Sequence, residues 1–118
     1  MNKKAEMKEI RKDDWIKKIL KAKEIADKAI IDNPSDELPC CNLDSAMVKK
    51  EECFTYAETI QIFKECGIPA FRLYGLYRGW FLVGECHGDA ERNTLWAETF
   101  AQELEKQGFQ TSVWYQLD

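Results

Sequence analysis

The stretch Ala70–Cys86, AFRLYGLYRGWFLVGEC, decides the fold predicted for this chain. Two apolar, aromatic runs meet at Arg78-Gly79, and a glycine at the second position of a two-residue loop is typical of a tight antiparallel hairpin turn. On that register Leu76 lies opposite Phe81. Both faces of the predicted hairpin are largely apolar, so each face must be covered by other elements or must bind another molecule.

Alternation divides the hairpin residues between these two faces. One face carries Tyr77 and Trp80, with Gly75 and Gly84 where another backbone could come close. The other face carries Tyr74 beside Arg72.

Amphipathic helices are predicted on both sides of this hairpin. The segment Thr55–Glu58 has the sequence of a capping box, which predicts a helix that begins there and ends at Gly67. After the hairpin, Asp89 is the predicted N-cap of a further helix, which ends at Gly108. Residues Phe109–Leu117 then alternate between apolar and polar side chains and predict a closing strand.

Two segments repeat one pattern of helix, glycine and strand. YAETIQIFKECGIPAF and WAETFAQELEKQGFQTSV align on Gly67 and Gly108. With a further, weakly indicated strand at Ala46–Lys49, the order becomes βαββαβ: a ferredoxin-like α+β fold whose antiparallel sheet is backed by two helices and preceded by a long N-terminal helix. Without that strand, the alternative is a three-stranded antiparallel sheet with three helices.

The same two segments resemble parts of known families. A helix followed by GIPAF resembles the helix-Gly-Ile-Pro-Ala turn of small signal-transducing ferredoxin-like domains. The segment AETFAQELEKQGFQTSV is similar to the helix-Gly-strand of peptidoglycan-binding SPOR modules. Neither segment carries a functional motif, so these resemblances imply a fold and not a function.

Composition divides the chain into three parts. Residues 1–33 form a predicted basic N-terminal helix, in which the charged segment up to Lys12 is expected to be frayed or solvated. Residues 34–44 are an acidic loop that contains proline, and residues 45–118 form the predicted α/β sandwich domain. Within the helix, one narrow stripe of apolar side chains needs a partner surface: Trp15, Ile16, Ile19, Ala22, Ala26, Ala29 and Ile30.

The charge of the chain is unevenly distributed. Residues 1–31 contain 10 basic and 6 acidic side chains, whereas residues 32–118 contain 7 basic and 15 acidic ones. The net charge of -4 argues against a dedicated nucleic-acid binder, because such domains are usually clearly basic. No window has the length and hydropathy of a membrane span, and the N-terminus lacks the apolar region of a secretory signal. Five cysteines without regular spacing are typical of reduced thiols, so we expect a cytoplasmic protein without membrane contact.

No catalytic signature stands out in the sequence. Cys86 and His87 precede a predicted helix N-terminus, where a thiol pKa falls, and they define the alternative of a thiol enzyme centred on Cys86. The simpler interpretation is an ordinary loop in which Cys86 packs as a small hydrophobe. Six residues could in principle ligate zinc: Cys40, Cys41, Cys53, Cys66, Cys86 and His87. They lack the paired spacing of structural zinc sites, so we expect no metal and no cofactor.

A binding surface is predicted where guanidinium groups and aromatic rings combine on the sheet. Its predicted residues are Arg72, Tyr74, Tyr77, Arg78, Trp80 and Trp114. Tyr, Trp and Arg are the usual anchors of protein interfaces. The same residue types stack bases in ferredoxin-like RNA-binding domains, which makes a single-stranded nucleic-acid-binding module the alternative. The sequence contains neither RNP motif of that family.

We therefore predict a small, non-enzymatic binding protein that acts through a protein interface on its aromatic hairpin, with the basic N-terminal helix as a docking arm. A small, acidic domain without motifs has the profile of regulators and inhibitors encoded by mobile elements, which occlude the surface of a larger partner. In the ferredoxin-like order the strands that contain Phe71 and Phe109 are sheet edges, so a homodimer through an edge is also predicted.

Overall fold

The structure is a computed structural model that describes residues 3–32, 44–84 and 90–115. Within these ranges the chain forms three α-helices and four strands. Their bounds are α1 Lys3–Asp32, β1 Ser45–Lys49, α2 Tyr56–Glu65, β2 Ala70–Arg72, β3 Trp80–Val83, α3 Ala90–Lys106 and β4 Thr111–Trp114, with one turn of 3-10 helix at Gly75–Tyr77. In this part of the chain, no helix combines the length and the apolar composition needed to cross a membrane.

The four strands form one antiparallel sheet in the order β2-β3-β1-β4. The weakly indicated strand at Ala46–Lys49 is present as β1 and lies in the interior of the sheet, so the three-stranded alternative is wrong. The α+β class, the four-stranded antiparallel sheet and the long N-terminal helix are confirmed. Strands β2 and β4 are the two edges.

One face of the sheet carries the hydrophobic core. Ala46 and Val48 of β1 lie opposite Val83 and Phe81 of β3, and all four side chains are buried. They belong to one cluster with buried residues of all three helices, because successive side chains on a strand point to opposite faces and the helices cover only one of them.

Helix α1 is part of this core. Trp15, Ile19, Ala22, Ala26 and Ile30 of the predicted stripe are buried, and the helix packs on α3 and α2. The apolar stripe of the N-terminal helix therefore finds its partner surface within the same chain.

The charged first half of α1 is helical from Lys3, and its cations reach carboxylates of other elements. The ion pairs join Lys8 to Glu58 at 2.7 Å, Arg11 to Glu51 at 2.6 Å and Lys12 to Glu65 at 3.6 Å. The segment is therefore solvated, as one alternative of the prediction has it, but it is not frayed. The prediction counted the charges of α1 alone and could not include these carboxylates of other elements. Exposed ion pairs are individually weak, but these three join α1 to the segment that contains α2.

The helix ends follow the sequence closely. Thr55 accepts a hydrogen bond from the Glu58 amide at 3.1 Å and donates its own amide to the Glu58 carboxylate at 2.9 Å, which confirms the capping box. At the other end of α2, the amide of Ile68 donates to the Phe63 carbonyl, and the amide of Phe109 donates in the same way to Leu104 after α3. Both ends are Schellman caps, so the predicted repeat is a repeat of structure.

The predicted hairpin is wrong in its register and its turn. Arg72, not Leu76, lies opposite Phe81, and residues 73–79 form a loop instead of two paired strand ends. The reason is that Gly75 and Gly79 both have positive φ, 67° and 92°, which takes the backbone out of the extended conformation at the first residue of the 3-10 turn and again just before β3. This change moves the aromatic residues of the loop away from the positions predicted for them.

The Glu58 carboxylate gives a prediction for acid unfolding. Hydrogen bonds from Lys8 and from the Thr55 amide lower the pKa of Glu58 from 4.5 to about 2. Because the folded pKa is the lower one, the stabilisation is complete above pH 4.5 and is lost as the pH falls toward 2. Glu58→Gln keeps a capping-box side chain and removes the charge, so its stability should fall less steeply than that of the wild type over this range, as followed by urea unfolding.

Glu24→Gln is the matched control for this experiment. Glu24 is exposed on α1, and its carboxylate has no ion pair among the residues that the structure describes. The control should follow the wild-type pH dependence. Equal pH slopes for the wild type and Glu58→Gln would contradict the assignment of this titration to Glu58.

Candidate binding surface

The sheet face opposite the helices is the candidate site, and we call it the open face. By the alternation of side chains along each strand it carries Phe71 of β2, Trp80 and Leu82 of β3, Met47 and Lys49 of β1, and Ser112 and Trp114 of β4. Phe71, Leu82, Met47 and Ser112 form one row that crosses all four strands. Among the described residues, no helix packs on this row.

Part of the open face is covered by the loop of residues 73–79. The ring of Tyr77 in this loop contacts the ring of Trp114 edge to face, with 5.5 Å between the centroids. The loop starts at β2, on one edge of the sheet, and Trp114 belongs to β4, on the other edge. Tyr77 therefore extends across the sheet toward β4, and Met47 of the interior strand β1 is only 5% exposed although it lies on the open face.

Other large apolar side chains of the loop and the open face remain accessible. Leu76 is 99% exposed, Phe71 61%, Tyr77 44% and Trp114 37%. Trp80 and Leu82 are half-buried between them. Burying an apolar side chain stabilises by about 1.5–3 kcal/mol, so a group of this kind favours association with another surface.

Arg72 lies on the other face of the sheet. It is opposite Phe81, and its guanidinium carbon lies 3.7 Å from the ring centroid of Tyr56 and 4.9 Å from that of Tyr74. Two aromatic rings thus hold the cation through cation–π contacts at the β2 edge, beside α2. The guanidinium Nε is buried and has no hydrogen-bond partner among the described residues.

The structure therefore divides the six predicted site residues into two groups. Tyr77, Trp80 and Trp114 belong to the open face and the loop that crosses it, and Arg78 is exposed in the same loop. Arg72 and Tyr74 pair with each other on the helix side of the β2 edge. Alternation along the predicted hairpin likewise places Arg72 and Tyr74 on the face opposite Tyr77 and Trp80, so this division was predictable although the register was wrong.

Leu76, Phe71 and Met47 belong to this surface and were absent from the predicted set. Leu76 was expected to pair within the hairpin, but the 3-10 turn turns it out to solvent. The spacing of Gly75 and Gly79 on either side of Leu76 was the available signal, since two glycines four residues apart favour a loop over a strand end.

The cysteine hypotheses lie mostly outside the described residues, which do not include Cys40, Cys41, Cys86, His87 or Asp89. Of the remaining thiols, Cys53 is exposed and Cys66 is buried. Burial raises the pKa of Cys66 to about 11, which makes it a poor nucleophile. The described ranges contain no group of three or more His, Cys, Asp or Glu side chains placed to hold a metal ion.

A polar cleft of about 340 Å³ lies beside Trp15 and the segment Lys49–Glu52. Its carboxylate Glu51 accepts hydrogen bonds from the Arg11 guanidinium at 2.6 and 2.9 Å and from the Trp15 indole at 3.3 Å. The same contact with Glu51 raises the pKa of Arg11. Glu51 is thus engaged in joining α1 to the sheet, and the open face remains the stronger candidate for binding.

Comparison with known proteins does not extend this description. No family model, no curated protein and no solved structure matches the chain. The similarity of two segments to ferredoxin-like and SPOR domains accordingly stays a prediction from the sequence.

Proposed function

We propose that this protein is a small, non-enzymatic binding protein that acts by protein–protein interaction through the open face and the loop of residues 73–79. The observation that carries the proposal is the group of exposed apolar and aromatic side chains there, with Leu76 almost fully accessible. Interface cores are typically rich in aromatic residues and poor in charge, and the open face fits this composition. A regulator or inhibitor that occludes the surface of a larger partner is the corresponding biological role.

Charge supports a protein partner over a single-stranded nucleic acid. Nucleic-acid affinity depends mainly on cations that contact phosphates. Lys8, Arg11 and Lys12 of the basic helix are paired with carboxylates of the same chain, and Arg72 is held between two tyrosine rings. These four cations are therefore engaged within the protein, and among the described residues Lys49 and Arg78 are the two cations that lie beside the aromatic rings of the open face and its loop.

Only the first turns of α1 are available to act as a docking arm. Its apolar stripe from Trp15 onward is buried in the core. Met7 and Ile10, by contrast, are exposed near the start of the helix. These two side chains are what an arm could offer to a partner.

The proposal can be tested by affinity capture from a lysate of the cells that express the protein. The bait is the tagged full chain, compared with a Phe71→Ser/Leu76→Ser double variant. Losing two exposed anchors should reduce the recovery of a specific protein by about tenfold or more, as measured by quantitative mass spectrometry. Nuclease treatment should leave this recovery unchanged.

Two further variants make the result specific. Ile31→Ser is the matched control, because Ile31 is an equally exposed apolar residue at the far end of α1, and it should bind like the wild type. Ile10→Ser tests the docking arm. Equal recovery with the double variant and the wild type would contradict the proposal, and recovery of nucleic acid that is lost at higher salt would favour the alternative module.

We also infer that the domain follows the ferredoxin-like plan. Its element order after α1 is βαββαβ, and β1 and β2 are parallel to each other because both are antiparallel to the β3 strand between them. Likewise β1 separates β3 from β4. Two interleaved βαβ units of this kind are the support for the assignment.

A further inference from the structure

The backbone hydrogen bonds of β4 follow a pattern that leaves alternate residues facing outward. In an antiparallel pair, residues alternate between those bonded to the partner strand and those pointing away from it. The Lys49 amide of β1 donates to the Gln110 carbonyl at 3.0 Å, so the bonded positions continue through Ser112 and Trp114. The amides and carbonyls of Thr111, Val113 and Tyr115 therefore point away from β1.

The neighbouring strand pair supports this assignment independently. The Lys50 amide of β1 donates to the Gly79 carbonyl of the β3 side at 2.7 Å, so even-numbered residues of β1 bond β3. The odd-numbered residues of β1 are then left for β4, which agrees with the bond from Lys49. Because β4 is an edge, its outward groups have no strand partner among the described residues.

The two edges of the sheet differ in how they are protected. Edge strands in soluble proteins are usually blocked by charge, proline, bulges or short length. Strand β2 has only three residues, follows Pro69 and carries Arg72. The sequence from Gln107 to Leu117, which contains β4, has neither a charged residue nor a proline. Strand β4 is also short, with four residues, but it lacks the charge and the proline that protect the β2 edge.

We propose that the β4 edge pairs antiparallel with β4 of a second copy of this chain, with the two-fold axis at Val113. In this register Val113 lies opposite Val113 of the other copy, and Thr111 lies opposite Tyr115. Each of the three outward-facing residues then lies opposite an outward-facing residue of the other copy, so their amides and carbonyls can exchange hydrogen bonds. In a register centred on Ser112, Thr111 would lie opposite Val113, but Tyr115 would lie opposite Phe109, which precedes β4. The register centred on Val113 therefore pairs more of the outward-facing residues.

The same register gives Trp114 a new neighbour. Ser112 lies opposite Trp114 of the other copy, and the two Trp114 side chains are diagonal neighbours on the open face, within reach for aromatic rings. Trp114 is 37% exposed in the single chain and already contacts Tyr77. The dimer would therefore join the two open faces into one continuous surface, and this inference stands independently of what that surface binds.

The test is the oligomeric state of a backbone-blocking variant. Tyr115→Pro removes one outward amide per copy without removing a bond to β1, whose pairing ends at Trp114. Tyr115→Phe is the matched control, because it keeps the amide and removes only the hydroxyl bond to Glu98. By light scattering over a concentration series, we expect dimers for the wild type and Tyr115→Phe, and dimerisation weakened by about tenfold or more for Tyr115→Pro.

Amide hydrogen exchange read by NMR provides the second measurement and needs no variant. As the concentration rises, the amides of Thr111, Val113 and Tyr115 should become protected, whereas those of Ser112 and Trp114 should change little. Added salt should strengthen the dimer, because it screens the repulsion between two copies of net charge -4. A monomer at millimolar concentration would overturn the proposal, as would a dimer that protects Ala70 and Arg72 or one that Tyr115→Pro leaves unchanged.

Discussion

Replacing Gly84 with alanine is expected to destabilise the fold by about 2–5 kcal/mol, from backbone strain and overpacking together. A Cβ at this position would lie 2.8 Å from the Cζ3 atom of Trp96, and Gly84 has a φ of 124°, which side chains rarely adopt. Trp96 cannot easily move aside. Its indole N–H donates a hydrogen bond to the Asp27 carboxylate of α1 at 2.8 Å. Its ring stacks on the ring of Phe100, with 4.6 Å between the two centroids.

Urea unfolding followed by circular dichroism measures this effect, and Gly67→Ala is its control. Gly67 also has positive φ, but a Cβ there would have no neighbour within 4 Å, so this variant reports strain alone. The two glycines differ in φ, 75° and 124°, so the difference between the variants combines the contact with Trp96 and the greater strain at Gly84. A second background isolates the contact. In a Trp96→Phe background, Gly84→Ala should cost less, because the smaller ring frees the space; an equal cost in both backgrounds would contradict the contact as the cause.

Much of the architecture could be predicted because local signals determined it. The capping box at Thr55 and the glycines at the ends of α2 and α3 specify helix ends through bonds within a few residues of each other. Helical periodicity alone predicts which side chains of α3 face inward, and all five of them are buried: Trp96, Ala97, Phe100, Ala101 and Leu104.

The close approach at Gly84 was only half predicted. The sequence indicated that Gly75 and Gly84 lack side chains where another backbone could come near. At Gly84 the neighbour is instead the indole of Trp96, twelve residues later in the chain. Which group fills the space beside a glycine depends on the packing of α3 on the sheet, and that packing is a tertiary property.

The hairpin could not be predicted because two turn signals competed within one stretch. Arg78-Gly79 favours a two-residue turn, but Gly75 lets the chain leave β2 four residues earlier. The loop then gains the contact between Tyr77 and Trp114, whose positions are far apart in the sequence. The separation of Arg72 and Tyr74 from Tyr77 and Trp80 therefore follows from alternation along the strands, whereas the position of Tyr77 beside Trp114 depends on this long-range contact.

Replacing Trp15 with alanine is expected to destabilise the protein by about 3–5 kcal/mol. Trp15 is 4% exposed, and its ring lies 4.6 Å from that of Phe109 and 5.2 Å from that of Phe54. One α1 side chain thus packs against the segments before α2 and before β4. A loss of this size is a large fraction of the roughly 5–15 kcal/mol that stabilises a typical domain.

Two variants separate the contributions to this effect in the same unfolding assay. Trp15→Phe keeps an aromatic ring and removes the indole bond to Glu51, so it should cost much less than alanine. Ile10→Ala changes an exposed side chain of the same helix and should lie within about 0.5 kcal/mol of the wild type.

The measured loss of stability in Trp15→Ala also tests which part of α1 is available to bind a partner. If Trp15→Ala is as costly as expected, α1 belongs to the core, and only its first turns are free to contact a partner. A cost below about 1 kcal/mol would mean that α1 contributes little to the folded domain, since removing a buried tryptophan always leaves a large cavity. The whole apolar stripe would then be free to bind a partner, and α1 would replace the open face as the stronger candidate binding surface.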